Sequence, residues 1–376
     1  MKAIVLSDLH LDAAGGMETD DAFVSFLEWL TARAQSDDVP WRLIVLGDLL
    51  DLLHAPMGAA EPLSALEAVV AQHRSALAAL GAAAMSGIQV EIVPGNHDSE
   101  LVDPELQQQL RALVGDAAGI DAAQLRSTFH VRPWFVVVPG LLYAEHGSQY
   151  HSLNAVADPL APFGRWSPRL PPGAVLDLGL RGVKDGARAR ALPRLLPAML
   201  RAAANRRRTD AGTVVSIQAY ARETGFSPGA LAALRSLRED SPLALVRNLS
   251  AALLRRAGYL ESRQQHAAVA IHRILAREGH SVPLYVFGHT HRVAHRRLPA
   301  EDKRLLWLNT GAWADGSYGF AEVEGRPDGV AARLCQWDAV ARSARSISDS
   351  LLGQEGEPAT RSRNAGNRSE DPVATP

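Results

Sequence analysis

Five short polar motifs run through the chain in a fixed order: Asp8-Leu9-His10, Gly47-Asp48, Gly95-Asn96-His97-Asp98, His146-Gly147 and Gly288-His289-Thr290-His291. They offer carboxylates, imidazoles and one carboxamide oxygen, a mixed donor set that suits Mn, Fe, Co or Zn better than Ca or Mg alone. No thiolate joins them, which excludes a cysteine-type structural zinc site. Collected at one rim, such groups hold two metal ions side by side, and the chemistry of a paired metal site is phosphoester hydrolysis. Each motif alone is weak, because an Asp-x-His triplet or a Gly-Asp pair arises readily by chance. Five in order demand five coincidences.

Four of the five follow directly on a run of β-branched and aliphatic residues, where strands end and loops begin. Buried strands are predicted over Ala3–Leu6, Leu43–Leu46 and Val90–Val93. Helices are expected over Ala22–Ala34 (capped by Thr19 or Asp20), over Pro62–Met85 with proline in the first turn, and over Leu106–Val114. This β-α-β-α-β order implies parallel strands with helices packed outside them. Val131–Val138 and Leu141–Ala144 read as a hairpin about Pro139-Gly140. From about Ser152 to Gly279 the pattern is helical and broken by prolines. Strand signal returns at Leu284–Phe287, Leu305–Leu308, Gly319–Val323 and Val330–Trp337. From about Gly353 the chain is Gly, Ser, Pro, Asn and charges, the composition of a disordered tail.

With 376 residues the chain is long enough for one large core and a substantial insertion. A net charge of −2 provides no global basic field for nucleic acid. Cys335 is alone, so no intramolecular disulfide is possible. No signal-like leader opens the sequence, and no apolar run reaches the ~20 residues of a spanning helix. A cytoplasmic protein is expected.

Taken together the motifs resemble the signature of the calcineurin-like metallophosphoesterase superfamily: D-x-H, G-D, G-N-H-[DE], H and G-H-x-H. That resemblance spans Asp8 to His291 and implies an α/β fold, a four-layer α-β-β-α sandwich with the metals at the carboxyl ends of the strands. It implies that Asp8, His10, Asp48 and His291 hold one metal, and that Asp48 bridges to a second held by Asn96, His146 and His289. Two divalent or mixed-valence ions, Mn, Fe, Zn or Co, follow from it. His97 matches the histidine that stands over the scissile phosphate, and Asp98 the acidic residue that orients it. The implied reaction is attack of metal-activated hydroxide on a phosphomonoester or phosphodiester.

The chain between His146 and His289 exceeds what that fold needs. The expected organisation is therefore a core from 1–151 and 280–345, a helical cap from 152–279, and a tail from 353–376. The first part of the cap interleaves Arg165, Arg169, Arg181, Lys184, Arg188, Arg190, Arg194, Arg201 and Arg206-Arg207-Arg208 with Phe163, Trp166, Leu195, Met199 and Leu200. A basic amphipathic segment of this kind closes over a site, binds a phosphate-bearing substrate, or lies peripherally on an anionic membrane, unless it is simply a solvated helical face. Asp-Leu-His-Leu at Asp8, the insertion, Gly-His-Thr-His-Arg at Gly288 and Gly-Ala-Trp at Gly311 also resemble the bacterial UDP-2,3-diacylglucosamine pyrophosphohydrolases. The chain departs from them at His97, where that family carries arginine. Cleavage of a lipid-linked or nucleotide-sugar pyrophosphate stands as the alternative, and a DNA nuclease as a second one that the near-neutral charge disfavours. Lesser candidates for the pocket or its surroundings are Asp12, Asp51, His54, Tyr150, His151 and Asn154. His266 and His272 read as helix-face histidines, and Asn309–Trp313 as a rim loop or a turn.

Overall fold

The computed structural model of the chain describes residues 1–15, 17–55, 61–155, 158–160, 171–181, 183–205, 215–238, 258–300 and 303–353. Two mixed sheets lie face to face. In the first, β1 (Lys2–Leu6), β2 (Trp41–Leu46), β3 (Gln89–Val93) and β4 (Phe129–Val131) run parallel. The antiparallel strands β10 (Gly319–Arg326), β11 (Gly329–Asp338) and β12 (Ser343–Gly353) extend it beyond β1. The second contains β5 (Phe135–Val138), β6 (Leu142–Glu145), β7 (Leu284–Phe287), β8 (Val293–Ala300) and β9 (Lys303–Thr310), in the order β5-β6-β7-β9-β8.

Alternation along each strand builds the layers. Ala3, Val5, Ile44, Leu46 and Val93 meet Leu284, Val286, Leu306 and Leu308 between the sheets. Ile4, Leu6, Leu43, Val45, Val90 and Ile92 face the other way, toward α1 (Met17–Gln35), α2 (Pro62–Gln72), α3 (Arg74–Met85) and α4 (Pro104–Ala118). On the far side, Tyr143, Tyr285, Phe287 and Trp307 share a cluster with Tyr220 of α7 (Ile217–Thr224), Leu231 of α8 (Pro228–Ser236) and Ile271 of α9 (Tyr259–Arg277). The result is the expected four-layer α-β-β-α arrangement. Between them in sequence, α5 (Pro172–Leu180) and α6 (Asp185–Asn205) keep a small cluster of their own, with Leu153, Val175, Leu176, Leu195 and Met199.

Several boundaries differ from the sequence reading. Pro62–Met85 is two helices: His73 breaks them at φ −112° and ψ 32°, its ring tied to the Asp20 carboxylate and the Asp12 carbonyl, both at 2.7 Å. The first helix starts at Met17, so Thr19 and Asp20 lie inside its first turn rather than capping it. Asp103 caps α4 by accepting the Glu105 N–H, and Pro104 opens it, which starts the helix earlier than expected. The run Val131–Val138 is two strands in different sheets, because Pro133 has no N–H to continue a ladder and the chain crosses there from β4 to β5. The expected hairpin survives as β5 and β6. Arg165, Arg169, Arg206-Arg207-Arg208 and the expected tail beyond Gly353 lie outside the described residues. Among the described residues no helix is long and apolar enough to cross a membrane.

Candidate metal centre

All five motifs begin within two residues of a strand's carboxyl end, after β1, β2, β3, β6 and β7. Their loops are laced together by backbone hydrogen bonds. Asp8 N–H donates to Gly47 O at 3.1 Å and His10 N–H to Asp48 O at 2.8 Å, while Gly288 N–H donates to His146 O at 3.1 Å. The Asn309–Trp313 segment is a brace: Trp313 and Ala314 both donate to the Asp8 carbonyl at 3.0 Å, and Asn309 Nδ2 donates to Gly288 O at 2.6 Å.

Glycines make the approach possible. A Cβ on Gly95 would lie 2.1 Å from Asp48 Oδ1, and one on Gly47 2.4 Å from His146 Nδ1. A Cβ on Gly288 would lie 2.5 Å from Ser7 Oγ. The ligand residues themselves are bent sharply. Among the described residues seven non-glycines have positive φ, and five of them are Asp8, His10, Asp48, His289 and His291. A left-handed backbone costs such residues on the order of 1–3 kcal/mol each and persists only where the surroundings enforce it.

Four groups of close donor atoms result among the described residues, and two of them hold six of the seven expected ligands. Asp8, His10 and His291 form one, and Asp48, His146 and His289 the other. Asp48 joins them: its Oδ2 stands 3.6 Å from His10 Nε2 and 3.2 Å from His146 Nε2. Asn96 Oδ1 is 3.1 Å from His146 Nε2, and His10 Nε2 is 3.2 Å from His291 Nε2. His146 donates its Nδ1–H to the Leu46 carbonyl at 2.8 Å, which turns Nε2 toward the centre, as the outer partner of a ligating histidine does. Nitrogen and oxygen donor atoms thus converge from several sides. Asp8 Oδ1 is buried without a well-aligned hydrogen bond, with His291 Nε2 standing 3.2 Å from it. The donor set fits cations, and it fits two of them around one shared carboxylate. The seven ligand residues expected from the motifs all meet there.

The electrostatics agree. Burial works against the Asp48 carboxylate, but the charges of His146, His97 and His10 outweigh it and hold the group well below the usual carboxylate range. Burial pushes His146 down, yet Asp48 and Asp8 pull it up to about 10. His289 falls well below the usual range, through burial and the neighbouring charges of His146 and His151. The centre is an anionic field that draws positive charge.

His97 sits beside it. Its backbone N–H donates to Asp48 Oδ1 at 2.8 Å, and its Nδ1 pairs with Asp51 Oδ1 at 3.0 Å. Burial lowers its pKa, but Asp48 and Asp51 raise it to about 9, so the ring carries a proton at neutral pH. The carboxylate that meets the His97 ring is that of Asp51, whereas the expectation had placed Asp98 there. Asp98 is fully buried and accepts the backbone N–H groups of Asp48, Leu49, Leu50 and Gly95 at 2.7–3.2 Å. It clamps two motif loops together and does not reach the ring. Spacing contained a signal for this: Asp51 lies one short turn after Asp48.

The remaining candidates divide. His151 Nδ1 and Asn154 Nδ2 stand 3.1 and 3.4 Å from His289 Nε2, and Asn154 and His54 line the cleft. Asp12 spends one oxygen on the Ala14 and Gly15 N–H groups. Tyr150 turns inward to Glu145, at 2.5 Å. His266 bonds back to its own helix, and His272 bonds Tyr285. His73 and Asp177 also line the cleft. Neither was signalled by a motif.

Residues 1–174 match the model of the calcineurin-like phosphoesterase family. That stretch carries four of the five motifs, and it makes the class of the protein a metal-dependent phosphoester hydrolase. A solved metallophosphoesterase from Sphaerobacter thermophilus aligns over 93% of this chain and 89% of its own, at 12% identity and a TM-score of 0.25, too slight a likeness to carry any argument. No curated protein matches the chain.

Proposed function

We propose that the chain hydrolyses a phosphomonoester or phosphodiester at the centre shared by Asp48, with Asp8, His10 and His291 on one side and Asn96, His146 and His289 on the other. The observation that carries this reading is the position of Asp48 Oδ2, within 3.6 Å of imidazole nitrogens from both groups. A pair of divalent cations held by these residues would supply charge against the phosphoryl oxygens and a water of lowered pKa as nucleophile. The protein's own groups do the rest. Asp51 holds the Nδ1–H of His97, leaving Nε2–H to donate to the phosphoryl group or to the departing oxygen, a role worth roughly 10²–10⁴-fold. Asp98 fixes the loops that carry Asp48 and Asn96, so the ligands are in place before substrate arrives.

The helices α5 and α6 serve as a cap over this cleft. Arg181 Nη1 donates to the Ala55 carbonyl at 3.3 Å, tying the end of α5 to the loop beyond Asp48. On α6, Leu196 and Leu200 are exposed beside exposed Arg194 and Arg201, which supports peripheral contact of the cap with an anionic lipid surface and keeps a lipid-linked pyrophosphate as the second substrate reading. Turnover of a phosphomonoester, a diaryl phosphodiester and acylated and unacylated nucleotide sugars by the metal-loaded protein tests the reading. Asp48→Asn should abolish activity and lower bound metal. Full activity in that variant would sink the assignment.

A further inference from the structure

The cleft above the centre encloses about 540 Å³, and among the described residues no lysine or arginine lines it. Positive charge for a phosphoryl group therefore comes from the metal end and from His97. Away from the ligands stand four acidic or basic groups with no part in that chemistry. Asp12 and His73 are engaged with their own loop and with Asp20. The others are His54, from the loop after β2, and Asp177, from α5.

His54 is a built feature. Asp51 accepts its backbone N–H at 3.0 Å through Oδ1, and its Nδ1–H at 2.8 Å through Oδ2. The same carboxylate holds Nδ1 of His97, and the two rings lie 5.3 Å apart. Both imidazoles commit Nδ1 to Asp51, which leaves Nε2 of His54 to the cleft. That nitrogen is available to a ligand entering the cleft. Asp177 accepts no hydrogen bond from a described residue. It lines the same cleft as His97 and His54, whose charges partly offset the desolvation that raises its carboxyl. Its helix is pinned at both ends, by Gly173 N–H on Leu153 O at 2.7 Å and by Arg181 on Ala55 O. Asp177 is solvent-exposed on its helix and at the same time lines the cleft, so its carboxylate is open to a ligand entering there.

A carboxylate near a phosphate site repels the phosphate, and is favourable only against a part of the ligand that brings hydrogen-bond donors. We propose that His54 and Asp177 form the leaving-group subsite of this phosphoesterase, and that they select a leaving group bearing hydroxyl groups, as in a sugar or polyol phosphate. The inference rests on the phosphoesterase reading above.

The test compares glycerol 3-phosphate and glucose 6-phosphate with phenyl phosphate, which has no donor on its leaving group, and with phosphoethanolamine, whose donor is an ammonium. The parent protein should favour the hydroxylated esters in kcat/KM. Asp177→Ala and His54→Ala should each cut that preference about tenfold, the worth of a hydrogen bond to a charged group, with the change in KM. Asp177→Asn, which keeps an acceptor oxygen, should retain part of that preference. Calorimetric binding of the matching non-hydrolysable phosphonates should show the same order, and bound metal and melting temperature report that the variants are folded. A parent that cleaves all four esters without preference, or variants that leave the preference intact, would overturn the subsite and leave the phosphoesterase reading standing. A preference for phosphoethanolamine alone would overturn the hydroxyl selection. Hydrolysis of none of a broad panel would overturn both.

Discussion

Two buried aspartates beside the same histidine, Asp51 and Asp98, show how little residue type says about task. Asp98 stands next to the motif histidine in sequence, yet its oxygens are consumed by four backbone N–H groups. Asp51 is remote in sequence and holds the ring. The difference predicts distinct failures. Asp51→Ala frees His97 while leaving every ligand in place, so turnover should fall about 100-fold with metal content near that of the parent. Asp98→Ala leaves four buried donors unpaired and should cost about 4 kcal/mol of stability, with metal loading lost alongside. Denaturant melts and metal analysis of the two variants separate these outcomes. If Asp98→Ala kept full stability and only slowed turnover, the histidine-orienting role would return to it.

At the scale of elements, what matters is how strand ends and helix breaks are held. Asp48 can face both donor groups only because Gly95 has no side chain, so Gly95→Ala should displace the shared carboxylate. Its expected mark is loss of most bound metal from a protein whose far-UV circular dichroism is unchanged. The break between α2 and α3 predicts a pH dependence. Burial lowers the His73 pKa, but the hydrogen bonds to Asp20 and the Asp12 carbonyl outweigh it and set the folded value above the usual one. A group raised on folding contributes stability that is complete below its unfolded pKa, about 6.5, and is lost as pH rises through the folded value. Melting temperature should therefore decline on going from pH 6 toward alkaline pH, and His73→Gln should flatten that part of the profile. An identical slope in the variant would remove His73 from the account. The strand ends were legible in the sequence because each motif follows a buried run, and the helical layers because apolar residues recur at helical spacing. The break at His73 and the crossing at Pro133 were not, since each depends on a partner distant in sequence: the Asp20 carboxylate for one, the opposite sheet for the other. Asp177 was hidden for the same reason, its place in the cleft being set by how α5 docks.

For the whole molecule, the sandwich brings loops from both sheets to one rim and forces their ligands into shape. Asp8, His10, Asp48, His289 and His291 adopt a backbone that their side chains disfavour. The chain has accepted a weaker scaffold in return for a fixed set of donors, a trade between stability and function of the kind selection leaves at working sites. Replacing a ligand by a residue at ease in that conformation should therefore move the two quantities in opposite directions. His291 is the cleanest place to see it, because its side chain is 42% exposed and little packing is lost with it. His291→Asn is expected to raise the melting point of the metal-stripped protein, by about 1 kcal/mol in stability, while weakening metal binding. A drop in the metal-stripped melting point would show the bent backbone to be relaxed there. A rise would mean that a screen for thermal tolerance alone, run without metal, would steadily select this protein's catalytic residues away.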